Sequence, residues 1–433
     1  MLLAFLMLAA VFAYADQALL ALLASRVKAS FGLSDASLGV LQGLALNLST
    51  AIALLFVGPL VDKIDRVKLL MCAAGMWSVF TVLTGLAHEF WQLFSCRVGV
   101  GIAEAAVYPS AFSLIADLYS PKRRALVVSI FLIGTLAGAS AATAISGALI
   151  RALDVAIAAH TGALWMLPAW RVAFVAAALP GFALVVALAA SREPGRRQES
   201  EVLVGAQTPG SFVGFLVEKR LLLGRLVGAI VLSQFGMASM IFWIPSTFTR
   251  AFAFSAGQAG EWLGAIFGLG SLSGLAVGTV LLSLLSRRYE ATAPLIVLKT
   301  AVILAALTVL IIPFANSPML LATTITGFIG SVYVGITVAP SLLMAVAPNH
   351  LRGRLISLET LILIGSTAVT PPLVGALSDH VFTGPHGLAL ALSAVAIPGN
   401  LLAPLLLRRI EHLLPQTQDT ASRAANRALS EAS

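Results

Sequence analysis

Three ionisable groups lie embedded in apolar sequence. Asp16 falls in the run from Met1 to about Ala24, and Arg97 and Glu104 fall in Arg97-Val98-Gly99-Val100-Gly101-Ile102-Ala103-Glu104-Ala105-Ala106-Val107-Tyr108-Pro109. Positions 97, 101, 104 and 108 recur at i, i+4, i+7 and i+11, so on a helix Arg97, Gly101, Glu104 and Tyr108 share one face. A charged side chain at mid-membrane costs about 2.5–3.5 kcal/mol on insertion scales, so such groups turn toward a cavity or toward one another. Two carboxyls and one guanidinium in contact can exchange a proton, because burial favours the neutral carboxyl and a nearby Arg favours the ionised one. Protonation of Asp16 or Glu104 would release Arg97, whose planar donors suit a carboxylate or phosphate better than a neutral sugar.

The composition says what must position these groups. Of 433 residues, 59% are hydrophobic and 11% charged, with a mean hydropathy of +0.97. Soluble domains carry about 25% charged residues, which excludes a water-soluble enzyme, a secreted disulfide scaffold and a disordered regulator. A membrane-crossing helix needs about 20 apolar residues, and the apolar runs number twelve. They fall near 1–24, 36–61, 67–87, 90–118, 123–150 and 170–190, then 223–250, 259–286, 292–314, 317–346, 355–379 and 386–407. The expected fold is an all-α integral membrane protein of twelve transmembrane helices in two pseudo-symmetric six-helix bundles, 1–190 and 223–410. A cytoplasmic linker over 191–222 joins them, and a cytoplasmic tail over 411–433 follows. Most Lys and Arg lie in alternate loops, among them Lys63, Arg66, Lys122, Arg123, Arg124, Arg287, Arg288, Arg352 and Arg354. The positive-inside bias therefore places both termini in the cytoplasm of a multi-pass protein of the cell (inner or plasma) membrane.

The halves repeat one another. Pro121 precedes Gly147 by about as many residues as Pro348 precedes Gly375, and each stretch opens on basic residues and reaches Gly-Ala-Leu. Paired bundles of this kind hold a substrate site between them near the midplane. Within the runs, Gln42, Asn47, Tyr108, Gln234, Trp243 and Tyr333 join Arg97 as candidates for the cavity wall, with helix-to-helix hydrogen bonding the competing role for each. Cys72 and Cys96 have no metal-ligand spacing, and no paired-histidine, G-x-S-x-G or G-x-x-x-x-G-K-[ST] pattern occurs. No metal, cofactor, catalytic residue or nucleic-acid partner is expected.

The loop Gly58-Pro59-Leu60-Val61-Asp62-Lys63-Ile64-Asp65-Arg66-Val67-Lys68 resembles the G-x-L-x-D-R-x-G-R-K signature of the major facilitator superfamily, with Asp65 in place of the usual glycine and Lys63 in place of the first arginine. The resemblance implies the major facilitator fold and a cytoplasmic gate built from Gly58, Asp62, Arg66, Asp117, Arg123 and Arg124. Leu282 stands where the second half would carry its Asp, so the latch is expected on one side. Tyr14-Ala15-Asp16-Gln17, Leu41-Gln42-Gly43, Phe90-Trp91-Gln92-Leu93-Phe94 and Ser113-Leu114-Ile115-Ala116-Asp117-Leu118 are similar to the Spinster branch. That likeness implies a proton-coupled transporter of an anionic or lysolipid-like solute working by alternating access, with Asp16, Arg97 and Glu104 as the coupling residues. Its implied partners are protons, a small-molecule or lipid substrate and membrane lipids, with the chain a monomer. Gln17 stands where an arginine commonly follows the Asp. An organic-acid symporter is the competing reading. The fifth run lacks the Gly-Pro pair of drug/proton antiporters.

Overall fold

The computed structural model describes residues 2–159, 167–195, 212–289, 292–348, 351–408 and 410. Twelve of its helices are long and apolar enough to cross a membrane. They run Leu2–Phe31, Asp35–Lys63, Arg66–Leu86, Phe90–Leu118, Lys122–Ala159 and Ala169–Ala189 in the first half. The second half holds Arg220–Phe252, Ala256–Tyr289, Ala293–Phe314, Pro318–Val346, Arg352–His380 and Gly387–Leu406. The chain is thus a multi-pass membrane protein, and each expected run is a helix. Part of the expected linker, Phe212–Glu218, is itself helical. The seventh membrane helix already begins at Arg220, within that expected linker; residues 196–211 of the linker, and the 411–433 tail, lie outside the described residues.

Local sequence explains several helix ends. Ser34 caps the second helix by accepting from the Ser37 N–H, and Asp65 caps the third by accepting from the Lys68 N–H at 2.8 Å. An Asp at this position satisfies a helix terminus that a glycine would leave to solvent. The second helix takes π turns over Leu41–Leu48. The fourth breaks at Ala105–Ala106, between Phe90–Glu104 and Val107–Leu118. The seventh breaks before Gly236, whose φ of 92° needs a glycine, and the tenth breaks between Ile336 and Ala339. Interrupted helices are found where transporters bind their cargo and coupling ions.

The buried apolar residues fall into three bodies. One lies wholly in the first half, from Leu6 through Val61 and Val67 to Leu188, and a second wholly in the second half, from Phe215 to Ile410. Both sit at the face that carries Leu2 and Leu406, the terminal face. The third body spans both halves toward the opposite face, packing Leu19, Leu41, Trp170 and Phe174 with Trp243, Phe248, Phe267 and Phe328. The halves are therefore fused at one face and separate at the other.

A buried electrostatic knot seals the fused face. Asp35, 2% exposed, accepts from both terminal nitrogens of Arg250, at 2.5 and 2.7 Å, from Lys28 at 2.5 Å and from the Ser378 hydroxyl at 3.0 Å. Asp379 in turn accepts the backbone N–H groups of Asp35 and Ala36 at 3.0 and 2.8 Å. The first, second, seventh and eleventh helices meet here. Gly375 is required at this junction, because a side chain there would sit 2.6 Å from the Ala36 nitrogen.

Replacing Asp35 by Asn should leave Arg250 without its carboxylate and Lys28 with only Asp379, 3.9 Å away, at a cost of about 2 kcal/mol once their partial exposure is counted. The expected readout is an apparent Tm lowered by several degrees in detergent. Lys68→Ala, which removes an exposed partner of Asp65, should leave the Tm unchanged.

Candidate functional site

The charges read from sequence come together at the interface of the first, third and fourth helices. The Arg97 guanidinium, 0% exposed, donates to Asp16 Oδ2 at 2.6 Å and to the Thr84 hydroxyl at 3.2 Å. It also lies 5.3 Å from the ring centroid of Phe174. The other Asp16 oxygen accepts from Thr81 at 2.8 Å. Asp16 is thus held by one cation and one hydroxyl, which offsets the cost of burying its charge.

Glu104, also buried, receives a different partner. Gln17 Nε2 donates to its Oε2 at 2.9 Å, while Oε1 has no hydrogen-bond partner among the described residues, and neither has Arg97 Nε. Adjacent residues of the first helix, Asp16 and Gln17, therefore engage positions seven apart on the fourth, Arg97 and Glu104. The fourth helix also approaches the second closely at Gly101, whose carbonyl accepts from Thr50 at 3.0 Å and where a Cβ would collide with Ser49 and Leu46.

Beside this pair lies a cavity of about 410 Å³ between the halves. Tyr14, Tyr108 and Tyr333 present their rings to it. Ser129 and Thr135 of the fifth helix, Thr279 of the eighth and several Leu and Ile side chains complete the wall. None of these lining residues is charged. Phe267 bridges the halves, with ring centroids 6.3 Å from Tyr14 and 6.2 Å from Tyr333. The break at Ala105–Ala106 separates Tyr108, on the cavity wall, from Glu104, which is not among the wall residues. The single continuous helical face expected from the spacing is therefore interrupted.

Five of the expected wall residues lie elsewhere. Trp243 is fully buried and donates its indole N–H to the Pro371 carbonyl at 3.1 Å. Asn47 donates to the Thr367 carbonyl at 3.1 Å. Both tie the eleventh helix to its neighbours, the role weighed against cavity lining for polar groups in apolar helices. Gln42 is buried in the π turns with Oε1 unpartnered, and Gln234 ends the first segment of the broken seventh helix. Arg97 likewise turns away from the cavity toward Asp16 and Thr84.

At the terminal face Arg66, 2% exposed, is the centre of a second cluster. It ion-pairs with Asp117 and donates to Glu193 Oε1 at 2.6 Å, to the Ser113 hydroxyl at 2.9 Å and to the Pro194 carbonyl at 3.4 Å. Glu193 also caps the third helix by accepting the Val67 N–H at 3.0 Å, so the start of the linker is docked on the first half. Arg124 donates to the Ala116 carbonyl at 3.1 Å, whereas Asp62 and Arg123 are exposed. Gly58 has open space where its side chain would be, so it makes no close helix approach here. Sequence reasoning missed Thr81, Thr84, Tyr14 and Glu193 as members of these clusters. The i, i+3 spacing of the two threonines in an apolar helix was the available signal.

A family model described as Major Facilitator Superfamily matches residues 6–361. An MFS-type efflux pump of Mycolicibacterium smegmatis is 25% identical over 85% of this chain and 82% of its own. A probable L-galactonate transporter of Escherichia coli is 34% identical over 28% of this chain and 27% of its own. Protein spinster homolog 3 of Danio rerio is 26% identical over 55% of this chain and 46% of its own. Among solved structures, a bacterial homolog of the human lysosomal transporter Spinster, inward-facing and unoccupied, superposes with a TM-score of 0.73 at 21% identity, over 95% of each chain. A D-xylose-proton symporter gives 0.70 at 14% identity, over 93% of this chain and 96% of its own. The twelve-helix fold, the signature loop around Arg66 and these matches agree that the chain belongs to the major facilitator superfamily, with its likeness running to the Spinster proteins.

Proposed function

We propose that the protein is a proton-coupled secondary transporter of an organic, anionic or amphipathic solute, working by alternating access with both termini in the cytoplasm. The observation that carries this reading is one guanidinium for two buried carboxyls, paired with Asp16 and not with Glu104, beside a cavity between the halves. Arg97 is engaged by Asp16, so Glu104 has an amide donor and no cation. A carboxyl in such surroundings is accommodated as the neutral acid, and we assign the coupled proton to it. Losing that proton leaves a second anion beside Asp16 and sets the two in competition for Arg97. The fork geometry of Arg97 allows it to exchange partners without losing its hydrogen bonds. The separated terminal face, where basic loops cluster, is the cytoplasmic side in this reading, and the fused face is closed.

The uncharged wall favours a solute with an apolar body against the Leu and Ile side chains and a polar head among the three phenols. A lysolipid-like amphiphile fits that division. The competing reading, a proton symporter for a soluble carboxylate, draws support from relatives named for L-galactonate and cis,cis-muconate transport. Competition between labelled gallate and a lysophospholipid for uptake into vesicles distinguishes the two. The chain acts as a monomer in the plasma or inner membrane and needs no cofactor on this account.

In proteoliposomes with an imposed pH gradient, Glu104→Gln should abolish gradient-driven transport while preserving exchange of solute for solute. Full gradient-driven transport by this variant would overturn the coupling assignment. Arg97→Lys, which keeps the charge but loses the fork, should slow transport about tenfold, the worth of one charge-assisted hydrogen bond.

Tyr333→Ala should raise KM about tenfold by removing a ring from the cavity wall, and Tyr333→Phe should raise it less. An unchanged KM in both variants would move the substrate site away from this cavity.

A further inference from the structure

A second cavity, also of about 410 Å³, lies away from the first, between the eighth and tenth helices toward the fused face. Its walls are Trp262, Ala265, Ile266 and Leu269 on one side and Met319, Ala322, Thr323 and Thr326 on the other, with Glu261 at its mouth. The floor is set at Gly270, where a Cβ would lie 2.9 Å from the Thr326 carbonyl and the Ile329 side chain. From Met319 to Thr326 the groove runs about 10 Å along the helix axis at 1.5 Å per residue. Leu269 and Met319 on its edges are 66% and 64% exposed, so it opens sideways to the lipid-facing surface. The Thr323 and Thr326 hydroxyls donate to carbonyls of their own helix, Met319 and Leu320 for the first and Ala322 for the second, leaving an apolar slot.

At the mouth, Arg151 of the first half ion-pairs with Glu261 of the second. Both side chains are 44% exposed, and the bridge is recorded between one nitrogen and one oxygen. Adjacent positive and negative groups above an apolar slot at the membrane edge match a zwitterionic headgroup above an acyl chain. We propose that this groove is a binding site for a phospholipid carrying a primary ammonium. One acyl chain lies between the eighth and tenth helices, the phosphate takes the remaining donors of Arg151, and the ammonium donates to Glu261. Arg supplies planar paired donors to phosphate. A primary ammonium has three N–H donors for a carboxylate, and a quaternary ammonium has none. The site therefore discriminates by headgroup, and its occupant touches both halves where they are fused.

The test is native mass spectrometry of the full-length protein in micelles doped equally with dioleoyl phosphatidylethanolamine, phosphatidylcholine and phosphatidylglycerol. The expected result is a phosphatidylethanolamine adduct favoured over phosphatidylcholine by about tenfold, the value of one charge-assisted hydrogen bond. Glu261→Gln should bring the two to parity, and Arg151→Gln should weaken all three adducts. Ala265→Trp, which fills the slot without touching a charge, should remove the adducts while the Tm stays at the wild-type value. Equal retention of the three lipids by the wild-type protein, a preference for phosphatidylglycerol, or adducts that survive Ala265→Trp would each overturn the proposal.

Discussion

A single buried guanidinium shared by two helices is the constraint around which the first half is organised. Arg97 has no exposure, so its charge must be neutralised within the protein, and Asp16, Thr84 and the face of Phe174 do so. Removing any one leaves a buried charge short of partners, a far larger penalty than the net gain from forming the pair. This accounts for two of the buried polar side chains of the third helix, Thr81 and Thr84, while Ser78 donates to the Ala74 carbonyl of its own helix.

Much of this was legible in the chain. Twelve apolar runs gave twelve helices, because in a bilayer the backbone must satisfy its own hydrogen bonds and length plus hydropathy leave few alternatives. Asp16, Arg97 and Glu104 were recognisable as isolated charges in apolar surroundings. The helical period also placed Arg97 and Glu104 on one stripe. What the period could not supply was partner choice. Gln17 read as the loss of a cation, yet its amide is the donor that Glu104 uses. Trp243 and Asn47 read equally well as cavity or packing residues, and only the position of the eleventh helix decides for packing. The break after Glu104 was hidden for a similar reason, since Ala105 and Ala106 are good helix formers and tertiary contacts override their propensity.

The signature loop shows how one substitution can be absorbed. Asp65 stands where a glycine is usual, and it caps the third helix through the Lys68 N–H. Arg66, one residue on, is thereby presented to Asp117 and Glu193 at the start of a well-terminated helix. The linker joins the same cluster through Glu193 and Pro194. The segment joining the two halves is thus anchored firmly to the first of them before it leaves.

The division of the apolar interior, joined near one face and split at the other, has a thermodynamic consequence. To open the fused face the molecule must part Trp243, Phe248 and Phe267 from Leu19, Leu41 and Phe174 and wet aromatic surface that is now dry. Hydrating apolar area raises heat capacity, so the balance between the two forms should vary with temperature along a curve rather than a line. In the alternating-access cycle proposed above, warming and cooling would then bias which side of the membrane the central chamber faces, alongside the parting of Asp35 from Arg250 that opening this face also requires.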